Sequence, residues 1–486
     1  MNDKKSLVVP GAALVFFSAS FIIRYFAFGQ TFYANGWDGY FYINQVRSFM
    51  EEGRMHVPDA SLIYPLMMFV QLFTDDYVLS FKILAAVLAG AFTMSLLLLT
   101  IKWSKDIRIG IVVASVSLFS PHLTYFAAQY PKNLLGVICF LWLLYVVESK
   151  NRLLPVLLLA LNFFGHRATA VLGFLFLLIG LSLQRIKGLI PYVLILFTAL
   201  FVAGGFFLPG ILNLFDTERF EGMFSVHPQF APYSFVESFG TELVSGWWLA
   251  EIVMGCVVFF MAVVSLIQKN HNTWLISLVL VLSLLIFPFF EWSTDGPAFR
   301  FFMIFILLCP LLLIFMLRSV QTRYVLESVT LLLIIFSLFS YKSYDPSKHD
   351  PPYDLYDVVG KEILSNVKKD SCGLIIAHKS LAEYIVFSTG IDAMSWIPEY
   401  DISGERLWRV AHGVKDIQFS HYLEPTDLQF VHRLTLSYSL IREDCWKKFL
   451  LSVEKDNNED LLQELATWKN PDRMRPKFLM KNRDIR

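Results

Sequence analysis

The stretch YVLSFKILAAVLAGAFTMSLLLLTI, residues 77–101, is an apolar run long enough to cross a lipid bilayer as an α-helix, which takes about 20 residues. Further apolar runs, some of them shorter, occupy 6–27, 109–128, 132–147, 153–165, 168–183, 189–208, 246–267, 273–290, 298–317 and 324–341. The pattern predicts a mainly α-helical fold, a polytopic transmembrane bundle of about eleven spans.

Composition supports this prediction. Of the 486 residues, 56% are hydrophobic and only 17% are charged, whereas about a quarter of an ordinary soluble domain is charged. The 41 basic and 41 acidic residues cancel, so no overall field attracts nucleic acid. The five cysteines are too scattered for a disulfide framework, although Cys372 and Cys445 could pair if their region is extracytoplasmic.

The basic residues between the runs predict an orientation. Alternate short connections carry Lys102, Lys105, Arg108, Lys150, Arg152, Arg185, Lys187, Lys269, Arg318 and Arg323. By the positive-inside rule these connections are cytoplasmic, together with the N-terminus. The first run extends too far to be a cleaved signal peptide, so we interpret it as a span. The sequence predicts a multi-pass plasma (inner) membrane protein whose C-terminal part lies in the periplasm or outside the cell.

The chain divides by composition near residue 341. Residues 1–341 form the predicted transmembrane domain, with long extracytoplasmic loops at 28–76 and 209–245. A linker rich in proline and aspartate follows at 342–352. Alternating helix and strand patterns in 353–472 predict a small extracytoplasmic α/β domain, and 473–486 is a basic tail.

Asp38 is the first candidate for chemistry. It lies in GWDGYFYINQVRSF, residues 36–49, where aromatic residues surround it and an amphipathic helix is predicted to follow along the membrane surface. A carboxylate in this place could accept a proton from a substrate. The structural alternative is that Asp38 caps that helix or holds a turn with Gly36 and Gly39.

Other polar residues belong to the same predicted side of the membrane. They are His122, Tyr125, Tyr130, Lys132 and Asn133 of SPHLTYFAAQYPKN, His166 and Arg167 of GHRAT, and Glu291, Asp295 and Arg300 of FEWSTDGPAFRFF. Lys132, Arg167 and Arg300 break the positive-inside pattern, which favours an anionic partner such as a phosphate or diphosphate. The alternative is internal ion pairing, for example of Arg300 with Asp295 or Glu291.

The order of these elements resembles the GT-C superfamily of membrane glycosyltransferases, which use polyprenyl-phosphate-linked sugars and include mannosyltransferases and aminoarabinose transferases. The resemblance covers roughly 1–341 and rests on arrangement: a first span, a long loop that opens with WDGYFY, further spans and an outer C-terminal domain. It implies that Asp38 is the catalytic general base.

The resemblance also implies that the lipid phosphate is held by Lys132, His166, Arg167 and Arg300. Tyr40, His122, Tyr125, Tyr130, Glu291 and Asp295 are candidates for acceptor binding or support. No second DxD-like motif is present, so a reaction without a metal or other cofactor is favoured, with a divalent cation left open. The implied partners are a polyprenyl-phosphate-linked sugar, membrane lipids and a glycan, lipid or protein acceptor, with no nucleic acid.

Three other readings stay open from the sequence. A flippase or transporter for a lipid-linked sugar would also need cations in a polar cavity, but it should place charges at several depths. A ligase that moves a whole glycan from its lipid carrier would share most of the chemistry. A binding module on a membrane anchor would not need so many spans.

Overall fold

The computed structural model shows a mainly helical protein. The residues that it describes are 3–56, 59–183, 229–230, 247–267, 273–285, 290–291, 297–314, 317, 323–342, 345, 350–366, 373–391, 393–396, 418–420 and 438–442. The predicted span 189–208, most of the predicted loop 209–245, Asp295, Cys372, Cys445 and the tail 473–486 lie outside them.

Two described helices are long and apolar enough to cross a bilayer. They are the Val8–Phe28 part of α1 (Asp3–Phe28) and α4 (Tyr77–Ser104). They pack against each other, and the carboxylate of Asp76 caps α4 by accepting hydrogen bonds from Val78 N–H and Leu79 N–H at 2.8 and 3.1 Å. These helices indicate a membrane protein, while the count of about eleven spans and the orientation stay predictions.

The predicted span 109–128 is not one straight helix. It consists of α5 (Ile107–Leu118) and α6 (Pro121–Gln129), whose axes differ by 59°. Pro121 cannot donate a backbone hydrogen bond, and the Ser120 hydroxyl caps the new helix by accepting from Leu123 N–H at 3.1 Å. If the pair is one span, it would be a third candidate to cross the membrane.

The other helices of the predicted transmembrane domain mostly follow the apolar runs, and several are shorter than a full span. They are α7 (Pro131–Val146), α8 (Leu153–Gly165), α9 (Arg167–Leu183), α10 (Trp247–Ile267), α11 (Thr273–Leu285), α12 (Pro297–Leu308), a 3₁₀ turn (Cys309–Leu312) and α13 (Arg323–Lys342). A two-residue antiparallel pair joins β1 (Gln229–Phe230) to β2 (Phe290–Glu291).

Two helices lie within the predicted loop 28–76. The helix predicted after Asp38 is α2 (Gly39–Glu52), and α3 (Ile63–Thr74) follows it. On α3, Tyr64 and Met67 are buried, whereas Phe69 and Phe73 are exposed. The helix therefore has one face toward the protein and one apolar face that the protein leaves uncovered.

The C-terminal region alternates helices and strands. It contains α14 (Tyr353–Asn366), β3 (Gly373–His378), α15 (Lys379–Thr389), β4 (Ala393–Trp396), β5 (Gln418–Ser420) and β6 (Tyr438–Arg442). The sheet order is β4-β3-β6-β5, with β3 parallel to β4 and antiparallel to β6. That 353–472 forms a separate domain stays a prediction.

The first loop and the C-terminal region are in direct contact through α2 and α15. Asn44 donates from Nδ2 to the carbonyl oxygen and to Oε2 of Glu383 at 2.8 and 2.7 Å. Arg47 donates to the carbonyl oxygen of Phe387 at 2.9 Å and lies over its ring. The helix that begins after Asp38 is therefore fixed on its other side by the C-terminal region.

Candidate functional site

Asp38 lies at the N-terminal end of α2, at the end of a tightly held turn. Gly36 has φ +82°, and a Cβ placed there would lie 2.5 Å from the carbonyl oxygen of Ala128, so only glycine fits. Trp37 N–H donates to Oε1 of Gln129 at 2.9 Å. The carboxylate of Asp38 makes no capping hydrogen bond to α2, so the helix-cap alternative does not account for it.

Lys132 is held by a carboxylate that the sequence analysis missed. Its Nζ lies 2.7 and 2.9 Å from the two carboxylate oxygens of Asp59, and the Tyr64 hydroxyl donates to Asp59 at 2.6 Å. Burial alone would raise the pKa of Asp59, but the Lys132 ammonium and the Tyr64 hydroxyl hold it below its ordinary value of 3.8. Internal ion pairing, the alternative raised from the sequence, therefore applies to Lys132.

His166 and Arg167 lie at the junction of α8 and α9, where α7 comes unusually close. A Cβ added to Gly136 of α7 would lie 2.1 Å from Oγ1 of Thr169 and 2.6 Å from Cβ of His166, so glycine is required for this approach. The first loop reaches the same junction, because Leu62 N–H donates to the carbonyl oxygen of Phe164 at 2.9 Å.

Arg300 connects these parts. Its guanidinium carbon lies 4.7 Å from the ring centre of Tyr130, and it is within electrostatic range of Asp38 and Tyr42. His166 is within electrostatic range of Lys132, Arg167 and Arg300. Arg167 is in turn within range of Asp59. We call these residues the site cluster: Asp38, Asp59, Lys132, His166, Arg167 and Arg300.

Several nitrogen atoms of this region have no hydrogen-bond partner within the described part of the chain. They are Nδ2 of Asn133, Nδ1 of His166 and Nε of Arg300, all of them buried. Buried polar atoms are normally hydrogen-bonded, so the unpartnered donors of Asn133 and Arg300 beside a charged cluster indicate a place for an acceptor-rich ligand. Helices α7, α9 and α12 begin at Pro131, Arg167 and Pro297, and the positive ends of their dipoles add to the attraction for an anion.

Not every predicted residue joins the site cluster. His122 Nδ1 lies 2.5 Å from Oε2 of Glu251 on α10, and both side chains are buried. Tyr125 packs edge-on against Tyr130 with ring centres 6.2 Å apart. Of Glu291 only the backbone of β2 is described, and Asp295 lies outside the described residues.

Tyr40 belongs to a different group of aromatic residues. Its ring centre lies 5.1 Å from that of Tyr353 and 5.0 Å from those of Tyr384 and Phe387, so it packs against the C-terminal region. Tyr42 is the neighbouring tyrosine with electrostatic links to Asp38, Asp59 and Arg300. Residues four apart on a helix share a face, so the spacing from Asp38 to Tyr42 was a signal available in the sequence.

The described residues contain no group of three or more histidine, cysteine, aspartate or glutamate side chains arranged to hold a metal ion. What the site cluster offers chemically is a carboxylate next to several cations and unpartnered donors.

No protein-family model and no curated protein matches this chain. The resemblance to GT-C glycosyltransferases therefore stays a prediction from the order of elements in the sequence.

Proposed function

We propose that the protein is an integral membrane glycosyltransferase that moves a sugar from a polyprenyl-phosphate donor to an extracytoplasmic acceptor. The observation that carries the proposal is the proximity of Asp38 to Arg300, within a cluster that also contains Lys132, His166 and Arg167. A carboxylate beside cations and unpartnered donors suits a reaction in which a hydroxyl loses a proton and a phosphate leaves.

The cations would bind the phosphate of the donor. Arg300 and Arg167 offer planar donor groups that match phosphate oxygens, and His166 contributes a ring nitrogen. Lys132 forms an ion pair with Asp59. Because its ammonium has three N–H donors, it would also bind an oxygen of the phosphate. These groups stabilise the negative charge that grows on the leaving phosphate oxygen.

Asp38 would act as the general base. The acceptor hydroxyl gives its proton to the Asp38 carboxylate while its oxygen forms a bond to the anomeric carbon. The bond between that carbon and the phosphate oxygen breaks, and its electron pair leaves with polyprenyl phosphate. Attack from the face opposite the phosphate inverts the configuration, and the reaction needs no covalent enzyme intermediate.

The rest of the arrangement would follow the sequence prediction. The polyprenyl chain lies among the apolar helices, and the N-terminus is cytoplasmic. The acceptor enters from the outer side, where the α/β region lies, and it is a glycan, lipid or protein. The sequence has no second DxD-like motif, and we propose a metal-independent reaction.

The reaction class is tested by incubating the purified protein with a panel of polyprenyl-phosphate sugars and cell-envelope acceptors, and by following both labelled product and released polyprenyl phosphate. We expect product whose anomeric configuration is opposite to that of the donor. Asp38→Asn should lower both signals roughly 10³-fold, whereas the exposed Asp75→Asn serves as the matched control.

The same assay separates the alternatives. A flippase would move the donor across vesicles without breaking its phosphate–sugar bond, which would contradict the proposal. A ligase would form product only from donors that carry a whole glycan. That result would mean that the donor is a lipid-linked glycan and not a lipid-linked single sugar.

A further inference from the structure

A carboxylate from the segment between α13 and α14 holds the turn that precedes Asp38. Asp350 accepts a hydrogen bond from Gly36 N–H at 2.6 Å through Oδ1 and one from Nδ2 of Asn35 at 2.9 Å through Oδ2. The Tyr353 hydroxyl donates to the carbonyl oxygen of Gly36 at 2.6 Å. Both backbone polar groups of Gly36 are therefore engaged by the segment that begins the C-terminal region.

The turn is supported from two sides. Gly36 lies against the backbone of Ala128 on its other side, and Asp38 follows two residues later. The turn is thus held between α6 and the segment around Asp350. Movement of either support would shift Asp38 relative to Arg300.

The charges around Asp350 are few among the described residues. Lys82 of α4 is the nearby cation, and its ammonium donates to the carbonyl oxygen of Thr31. Asp345 lies on the same segment, and the Tyr353 hydroxyl approaches from α14. Burial raises the pKa of Asp350 to about 6, although Gly36, Asn35 and Lys82 favour its charged form.

The geometry points to Asp350 as a positioning residue: it holds the Gly36 turn through both carboxylate oxygens and thereby places Asp38 for proton transfer. This inference rests on the proposed function, since it assigns Asp38 the role of base. Asp350 touches neither substrate nor reacting atoms, and its effect is transmitted through Gly36.

Protonation of Asp350 would weaken its hold on the Gly36 turn. A protonated carboxyl keeps one acceptor for Gly36 but turns its other oxygen into a donor that faces Asn35. Oδ1 of Asn35 is buried and has no partner within the described residues, so it can accept that proton after rotation of the amide. The remaining bond to Gly36 is then no longer charge-assisted and is weaker. The transfer rate should fall as the pH drops through about 6.

The stability of the protein should change with pH in the direction opposite to the transfer rate. This difference separates a positioning role of Asp350 from a merely structural one. Because the pKa is raised above 3.8, the folded protein binds the proton more tightly than the unfolded chain does. The free energy of unfolding contributed by this group therefore decreases as the pH rises from about 4 to about 6. Asp350→Asn should leave the melting temperature unchanged or raise it, while it lowers the rate.

The test combines hydrogen–deuterium exchange with transfer kinetics on the full-length protein in lipid nanodiscs. Asp350→Ala removes both acceptors, Asp350→Asn fixes a neutral group, and the exposed Asp75→Asn is the control. We expect faster exchange of the peptide that contains Gly36 in Asp350→Ala, about tenfold slower transfer, and no change in the control. Asp350→Asn should transfer at the slow rate of the wild type at low pH and lack the step near pH 6.

Unchanged exchange and unchanged transfer in Asp350→Ala would overturn the inference, as would a step near pH 6 that persists in Asp350→Asn. Faster exchange with an unaltered rate would show that the contact is structural only and would equally overturn it. The proposed function fails separately: wild-type protein that transfers no sugar, although exchange responds to Asp350→Ala, would refute the assigned reaction while the contact itself stands.

Discussion

Arg24 and Arg300 both lie in apolar helices, Arg24 buried and Arg300 half-buried, but their surroundings differ. Arg24 on α1 donates to the carbonyl oxygens of Leu118, Ser117 and Ser120 at 2.5, 3.1 and 3.2 Å, and to the Ser20 hydroxyl at 3.1 Å. Arg300 lies over the Tyr130 ring and within electrostatic range of Asp38. The Nε of both arginines lacks a partner among the described residues.

The different surroundings indicate different roles for the two arginines. Arg24 donates to three carbonyl groups around the break between α5 and α6, so its charge serves the fold. Arg300 is within electrostatic range of the Asp38 carboxylate and of His166, an arrangement that costs free energy unless a ligand completes it. The comparison predicts that loss of Arg24 destabilises the protein, whereas loss of Arg300 impairs activity.

The largest effect is expected from Arg24→Met. The substitution keeps much of the volume but removes the four hydrogen bonds that the buried guanidinium donates, each contributing roughly 1.5–3 kcal/mol because the donor is charged. We expect a loss of stability of about 3 kcal/mol or more, seen as a lower melting temperature and poor recovery from membranes. Arg108→Met is the control, because that side chain is 59% exposed. An Arg24→Met protein as stable as the control would contradict the structural role.

Arg300→Met is expected to have the next largest effect, on catalysis. Removing one well-placed donor to a developing negative charge typically lowers the rate by ~10² or more, or about 3 kcal/mol. We expect a drop of this size in kcat/KM for the donor, with a melting temperature close to that of the wild type. Steady-state kinetics over a range of donor concentrations provides the measurement. A destabilised protein with intact kinetics would make Arg300 a second structural arginine.

Gly36→Ala tests the turn that carries Asp38. The added methyl group meets the carbonyl oxygen of Ala128 at 2.5 Å and also disfavours φ +82°, so we expect a cost of about 2–3 kcal/mol and a marked loss of transfer. Gly53→Ala is a matched control, because its φ is +72° but no atom lies within 4 Å of the added Cβ. Its cost should be about 1 kcal/mol, from the backbone alone. Equal effects of the two changes would show that the Ala128 contact is unimportant.

The ion pair between Asp59 and Lys132 should give the smallest effect. Asp59→Asn removes a partly buried pair and is expected to lower stability by about 1–2 kcal/mol. Because the folded pKa of Asp59 is below 3.8, its stabilisation is fully present above that value and is lost as the pH falls through the lowered pKa. The difference in unfolding free energy between wild type and variant should therefore be constant from pH 5 to 8. A difference that shrinks within this range would contradict the lowered pKa.

The sequence predicted the helical class and much of the candidate site, for an identifiable reason. Lys132, Arg167 and Arg300 stood out because they conflict with the positive-inside rule. The structure brings all three within electrostatic range of His166, and Arg300 also within range of Asp38. The helix after Asp38 also lies where its amphipathic pattern predicted it.

What the sequence did not reveal depends on contacts between distant segments. Asp59 and Asp350 lie in short polar stretches that read as ordinary loop and linker, and no spacing rule relates them to Lys132 or Gly36. The break between α5 and α6 was missed because apolar residues continue on both sides of Ser120 and Pro121, so that 109–128 was taken as one run. Arg24 was not singled out from the sequence, because its carbonyl partners lie almost a hundred residues away along the chain.

The central claim is that Asp38 is a base acting beside a phosphate site, and it is tested most directly by comparing donor binding with transfer in Asp38→Asn. The account predicts that the variant binds a polyprenyl-phosphate sugar as tightly as the wild type but transfers it roughly 10³-fold more slowly. Transfer at close to the wild-type rate with a bound donor would contradict the account.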